Sequence, residues 1–281
     1  MPDLTIDIAG LPVLIEGLTA ALEAAALRRY RPFLTSGKPA VTVGVTYVEG
    51  PKPEPEGDPQ VERVAPGEYS VRWGALSAQV SVRDQAVRGE LLENVYMLDS
   101  LLRISMSLLL LERGGLLLHS SGVMRDGRVL ISFGPSGAGK TTVARSVPEA
   151  DVLCDEVMAL LPQPDGSVRA IGTPFHGDLG ICAPGAGPVA AIVRLRQAAR
   201  DRLTPLSTAA AAREMLAATL FFCREPDLAG KLLDIAAIVC KARTFSLEFQ
   251  LTTHVPSFVF EHLGRNAAET QPKIADPGTG G

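Results

Sequence analysis

Gly134-Pro135-Ser136-Gly137-Ala138-Gly139-Lys140-Thr141 satisfies the phosphate-loop pattern G-x-x-x-x-G-K-[ST], and the residues on either side give it the setting the pattern needs. Before it, Arg128 to Phe133 (RVLISF) reads as a short buried strand. After it, Thr141, Thr142 and the residues to Ser146 read as a helix opening that stops before Pro148. In a strand, loop, helix unit of this kind, backbone N–H groups of the turn and of the helix start converge on phosphate oxygens. Lys140 then supplies a point charge to the β and γ phosphates, and Thr141 offers a hydroxyl to a metal. The expectation is bound ATP or GTP with Mg²⁺, held by residues 134–142.

Working outward, a two-residue Asp126-Gly127 turn joins the Leu116 to Met124 run to the strand leading into the loop, a strong hairpin signal. A second hairpin is expected from Val157 to Leu161 and Val168 to Ile171, turned by Pro164-Asp165-Gly166. Further on come a strand at Val189 to Leu195, helices near Ser207 to Phe222 and Asp227 to Lys241, and an alternating strand over Phe245, Leu247, Phe249 and Leu251. Toward the N-terminus, residues 1–90 read as a small α+β unit with strands at Leu4 to Ile8, Val41 to Val48 and Leu76 to Val82 and a helix over Ala20 to Tyr30. Gly50 to Pro59 reads as a solvated loop. Residues 91–115 read as an amphipathic connecting helix stopped by Gly114-Gly115, fully explained by packing. Residues 116–263 form the phosphate-loop domain, and 264–281 a polar disordered tail. The fold class is α/β, a phosphate-loop domain with a mixed sheet behind a small α+β domain.

Composition excludes several classes. The chain has 281 residues, 46% of them hydrophobic and 21% charged, which suits a soluble globular protein with a real core. A net charge of −4, with Lys and Arg scattered apart from Arg194, Arg196, Arg200 and Arg202, leaves no footprint for nucleic acid. Apolar runs such as Leu108 to Leu111 are too short to span a membrane, and the start Met1-Pro2-Asp3 is no signal peptide. Cys154, Cys182, Cys223 and Cys240 have neither zinc nor disulfide-framework spacing, so a reducing cytoplasm is expected. Oligomeric state is left open.

Three further stretches carry candidate chemistry. Asp155 and Glu156 end the apolar run Val152-Leu153-Cys154, where a second strand would bring carboxylates beside metal and γ phosphate. One acid can take a proton from an acceptor hydroxyl while the other holds Mg²⁺; the alternative is a solvated strand end. His119, in Leu116-Leu117-Leu118-His119-Ser120-Ser121-Gly122, lies on the strand paired to the one entering the loop, either as a pocket residue or as a core histidine. His176, in the Gly172 to Asp178 loop, either closes over nucleotide or acceptor or simply serves a turn. His254 and His262 have no acidic or Cys partner at metal spacing and take no role.

Together, LLLHSSGVMRDGRVLISFGPSGAGKTTVARSV, VLCDEVMAL and GTPFHGD resemble the catalytic core of HPr kinase/phosphorylase and its relatives, whose nucleotide site is similar to that of phosphoenolpyruvate carboxykinase. The likeness covers residues 116 to 180 well and extends weakly to about 260. It implies that Asp155 is the acid/base carboxylate, Glu156 its neighbour near the metal, and His119 the active-site histidine, with Lys140 at the phosphates. The family's second acid is usually Asp, and its post-lysine hydroxyl usually Ser; Glu156 and Thr141 keep the chemistry. The chain looks more like shorter relatives, some of which phosphorylate ribosomally made peptides in biosynthetic clusters, than like HPr kinase itself. The resemblance thus implies an ATP- and Mg²⁺-dependent kinase acting on a serine of a peptide or protein encoded nearby. A small-molecule kinase and a nucleotide-gated binding module with little transfer activity are the alternatives.

Overall fold

The computed structural model describes residues 3–49 and 56–269. It is a mixed α/β protein with two mixed sheets. The first sheet is built from β1 (Leu4–Ile8), β2 (Leu11–Glu16), β3 (Val41–Tyr47), β4 (Gln60–Ala65), β5 (Glu68–Trp73), β6 (Leu76–Ser81) and β7 (Ala86–Leu91), with helix α1 (Ala20–Arg29) between β2 and β3. Its strand order is β1-β2-β3-β7-β6-β5-β4. Seven strands stand where the sequence pattern gives three. Pro12 in β2, exposed Val64 in β4 and Gly89 in β7 blur the alternation there. Residues 50–55 of the expected Gly50 to Pro59 loop lie outside the described residues, and 56–59 are irregular.

Helix α2 (Val95–Glu112) follows, capped by Asn94, whose Oδ1 accepts from the N–H groups of Tyr96 and Met97. It ends in a Schellman motif: Gly115 N–H reaches Leu110 O, Gly114 N–H reaches Leu111 O, and Gly114 has φ +78°. The helix is more than a connector. Its buried residues run almost all the way round, because one side packs on β6 and β7 and the other on β8 (Leu116–Arg125) and helix α5 (Pro226–Val239). At β7 the approach is so close that a Cβ on Gly89 would lie 2.5 Å from Leu101 Cδ2. One apolar cluster therefore spans both sheets.

The second sheet begins with β8, β9 (Arg128–Phe133), helix α3 (Lys140–Arg145), β10 (Val152–Cys154), β11 (Val157–Pro162) and β12 (Val168–Gly172). It continues through β13 (Ala186–Gln197), β14 (Arg202–Pro205), helix α4 (Thr208–Leu216), α5, β15 (Thr244–Phe249) and helix α6 (Val255–Glu269). The β8–β9 hairpin turns on Asp126 and Gly127, both at positive φ, and pairs Arg125 with Arg128. Ladders β8–β11, β11–β12, β12–β13, β13–β9 and β9–β8 form a closed circuit, made possible because β8 gives its first half to β11 and its second half to β9. β9, β13 and β15 are parallel.

Helix α4 stops at Leu216 rather than near Phe222, because residues 218–220 pair with β8 instead: His119 N–H donates to Ala218 O, and Leu220 N–H to Leu117 O. The tail expected from Gly264 starts later, since α6 continues to Glu269; the rest of it, 270–281, lies outside the described residues. No helix among the described residues is long and apolar enough to cross a membrane.

Candidate functional site

Strand β9 delivers the chain to a turn whose glycines sit at φ values L side chains avoid: Gly134 at +155°, Gly137 at +76° and Gly139 at +110°. A Cβ on Gly139 would lie 2.6 Å from Phe249 Cζ, so the turn is seated on β15. Gln197 at the end of β13 holds its outer side, donating from Nε2 to Gly137 O at 2.6 Å. Pro135, Ser136 and Gly137 are exposed, Ala138 is buried, and the short helix α3 opens at Lys140. Thr141 and Thr142 are half-buried in its first turn.

Lys140 is buried, and its Nζ donates to Gly134 O at 3.0 Å and Pro135 O at 3.4 Å. Burial pushes its pKa down, partly offset by the charge of Glu156. These two carbonyls are its hydrogen-bond partners among the described residues, so the loop encloses a cation with no carboxylate in salt-bridge contact. That arrangement, with turn glycines open to a close backbone approach, fits a polyphosphate. Among the described residues there is no cluster of three or more metal-ligating side chains. The implied Mg²⁺ would rest on few protein oxygens, Thr141 and Glu156 being the expected ones, which suits an ion that keeps waters and phosphate oxygens.

The acidic pair sits in the bend between β10 and β11, and its members face different neighbours. Asp155 is buried; Oδ1 accepts from Gly177 N–H at 2.8 Å and Oδ2 from Leu179 N–H at 3.0 Å, so both oxygens clasp the 176–179 loop. Glu156 is half-buried, with Oε1 3.3 Å from His119 Nδ1 and 4.0 Å from Arg103 Nη1. The His119 hydrogen bond, helped by the charges of His119, Arg103 and Lys140, lowers the Glu156 pKa against the opposing effect of burial. The structure therefore brings His119, Glu156 and Lys140 into one electrostatic neighbourhood. Asp155 is placed beside them but is already engaged.

Helix α2 contributes residues that the packing account of it did not anticipate. Asp99, buried, accepts from Arg29 Nε at 2.9 Å, Tyr30 OH at 3.1 Å and Arg103 Nε at 2.7 Å. Arg103 donates on to His176 O at 3.3 Å, and Arg29 Nη1 lies 3.1 Å from His176 Nε2. His176 is thus drawn to the site, while His254 Nε2 meets Ser146 O at 2.6 Å and His262 packs edge-on against Phe245, both outside it. The signal for Asp99 and Arg103 was visible as an i,i+4 charge pair inside an apolar helix. Arg194, one of the Arg group in the sequence, pairs with Glu214 at 2.7 Å and lines the cavity above the loop.

Two cavities meet at His119. One, about 480 Å³, is lined by Gly134, Pro135, Ser136, Arg194 and Glu214; the other, about 720 Å³, opens between the first sheet and the second. His119, Leu220 and Phe222 line both.

A mixed α/β protein with a glycine turn around a buried lysine, next to a histidine–glutamate pair, is what these features define. A family model for the SynChlorMet cassette protein ScmC matches residues 85–265, well over half of the chain. The chain belongs to that family. The matched region begins at β7 and takes in α2, the glycine turn and the acidic pair. No curated protein matches the chain.

Proposed function

We propose that the protein is an ATP- and Mg²⁺-dependent kinase that transfers the γ-phosphate to a hydroxyl, a serine of a peptide or protein. The observation that carries this reading is His119, which borders both the phosphate-loop cavity and a second cleft, with Glu156 beside it on the cleft side. A hydroxyl entering from the cleft meets a base at the point where the loop would present phosphate. The resemblance to HPr kinase/phosphorylase supports the same chemistry.

The nucleotide would supply the phosphoryl group and its ADP leaving group; the protein neutralises and positions. Lys140 offsets phosphate charge, the turn N–H groups orient it, and Thr141 and Glu156 would hold Mg²⁺. As the hydroxyl oxygen bonds to phosphorus, its proton passes to a carboxylate. The resemblance gives that role to Asp155. Both Asp155 oxygens accept backbone N–H groups, so taking the proton there requires one of those bonds to give way, while Glu156 faces the cleft and would stay with the metal. Arg103 and His119 keep Glu156 charged and aimed.

The binding-module alternative draws on the same engagement of Asp155: a carboxylate committed to a loop can report nucleotide without moving a proton. The family name refers to a gene cassette, so products of neighbouring genes are the first acceptors to try. Incubation with γ-labelled ATP, Mg²⁺ and those peptides or proteins should label a Ser or Thr in one of them. Labelling should vanish in Lys140→Ala and fall at least a hundredfold in either Asp155→Asn or Glu156→Gln, on the order of a lost general base. Tight nucleotide binding with no transfer to any acceptor would move the reading to the module.

A further inference from the structure

We propose that the cleft of about 720 Å³ between the two sheets is the acceptor site, and that it takes an extended peptide segment whose hydroxyl residue is flanked by aromatic and basic side chains. This rests on the kinase reading for its chemistry but on separate observations for its location and selectivity.

The location follows from the shared wall. His119, Leu220 and Phe222 border both this cleft and the phosphate-loop cavity, so a hydroxyl on the cleft side of His119 is next to the loop without displacing any element. The size lies within the range of small-ligand pockets, enough for a few peptide residues with the remainder of the segment outside.

The selectivity follows from the lining. Trp73 at the end of β5, Tyr96 at the start of α2 and Phe222 supply aromatic surface at the mouth, and Tyr96 is 70% exposed. Arg29 Cζ lies 5.7 Å from the Tyr96 ring centroid, and most of the tyrosine stays open to an incoming aromatic side chain. Charge provides the second selection. Four carboxylates, Asp58, Asp99, Glu156 and Asp178, face two guanidinium groups, Arg29 and Arg103. Asp99 lies between the two guanidinium groups, and Glu156 is drawn to His119 and Arg103. Asp58 and Asp178 remain, exposed at the rim with no ion-pair partner among the described residues. A Lys or Arg of the incoming segment matches them, and an acidic one is repelled.

The sole tryptophan of the chain is Trp73, so its emission reads occupancy of the cleft directly, whether or not phosphate is transferred. The probes are three synthetic heptapeptides with a central Ser: one flanked by Phe and Lys, one with Lys replaced by Glu, and one with Phe replaced by Ala. The first should change Trp73 emission saturably, and both of the others should bind about tenfold or more weakly, as a lost complementary charge or anchor would predict. Asp58→Asn/Asp178→Asn should erase the preference for Lys over Glu, and Tyr96→Ala the preference for Phe. Lys140→Ala should leave peptide binding in place. Binding by the Phe/Lys peptide without transfer to it or to any other acceptor would keep the cleft as a peptide site and move the function to the nucleotide-gated module. Transfer to a small alcohol or to the Glu peptide, with no change in Trp73 emission, would keep the kinase reading and overturn this site.

Discussion

His119 lies on β8 and Glu156 immediately precedes β11, the antiparallel partner of β8, with the imidazole Nδ1 3.3 Å from the carboxylate Oε1, although 36 positions of sequence carrying the whole glycine turn separate them. The pairing that sets this distance is backbone: His119 stands opposite Val157, and Ser120 N–H donates to Glu156 O at 2.9 Å. The strand entering the hairpin before the loop and the strand leaving the acidic pair thus share one ladder. The site is held by sheet register rather than by flexible loops.

The pair makes stability depend on pH in a defined direction. The native Glu156 carboxyl titrates below its ordinary 4.5, chiefly through the His119 hydrogen bond, so the unfolded chain binds that proton more tightly. Its contribution is complete above that value and is lost as pH falls through the lower native pKa. Because the pair is partly open to solvent, the amount is at most about 1 kcal/mol. Denaturant unfolding of wild type and Glu156→Gln should differ by a constant amount well above pH 4.5 and converge as pH falls through the lower native value. Curves that stay parallel down to acid would remove the hydrogen bond from the account.

The glycines of the turn should differ in what they tolerate. Gly137 has open space around a Cβ, so Gly137→Ala meets only the left-handed backbone, about 1 kcal/mol. Gly139→Ala adds a Cβ 2.6 Å from the Phe249 ring and should cost about 2–4 kcal/mol. Thermal unfolding of the two variants decides it, and equal midpoints would contradict the seating of the turn on β15.

Asp99 is the keystone of the charged floor beneath the cleft. Asp99→Ala leaves two half-buried guanidinium groups and the buried Tyr30 hydroxyl without their shared acceptor, at a cost of about 1–3 kcal/mol. Asp99→Asn keeps one oxygen and should fall between. Denaturation midpoints with an unchanged m-value would match this; a loss below about 1 kcal/mol would mean that water replaces the carboxylate without penalty.

Much of this was legible beforehand because it is local. The strand, turn and helix around Lys140, the Asp126-Gly127 hairpin and the carboxylates just after the Val152–Cys154 strand are each written within about ten residues, where turn chemistry and periodicity act directly. Strands β2, β4 and β7 were hard to read because Pro12, the exposed Val64 and Gly89 interrupt their alternation. The end of α4 was not legible, because pairing of residues 218–220 to β8 is a tertiary choice that overrides helical propensity. Asp99 and Arg103 show in the sequence only as an i,i+4 charge pair, because the contacts of Arg103 and Arg29 with His176 join segments far apart in sequence.

Asp155 offers the sharpest separation between chemistry and support. An amide at this position keeps one oxygen for Gly177 or Leu179 but turns an NH₂ toward the other backbone N–H, leaving that donor unpaired in a buried place at about 1–3 kcal/mol. If Asp155 serves the site through the loop, Asp155→Asn should strip hydrogen-exchange protection from the Gly177 and Leu179 amides and free His176 from Arg29 and Arg103. Transfer would then fall in step with that loosening. If Asp155 is itself the base, transfer should drop at least a hundredfold while nucleotide binding and the protection of those amides hardly change. The geometry predicts both losses together, with Glu156→Gln reducing transfer and leaving the two amides protected. Full protection of both amides in Asp155→Asn would show that the clasp is dispensable and return the carboxylate to proton transfer alone.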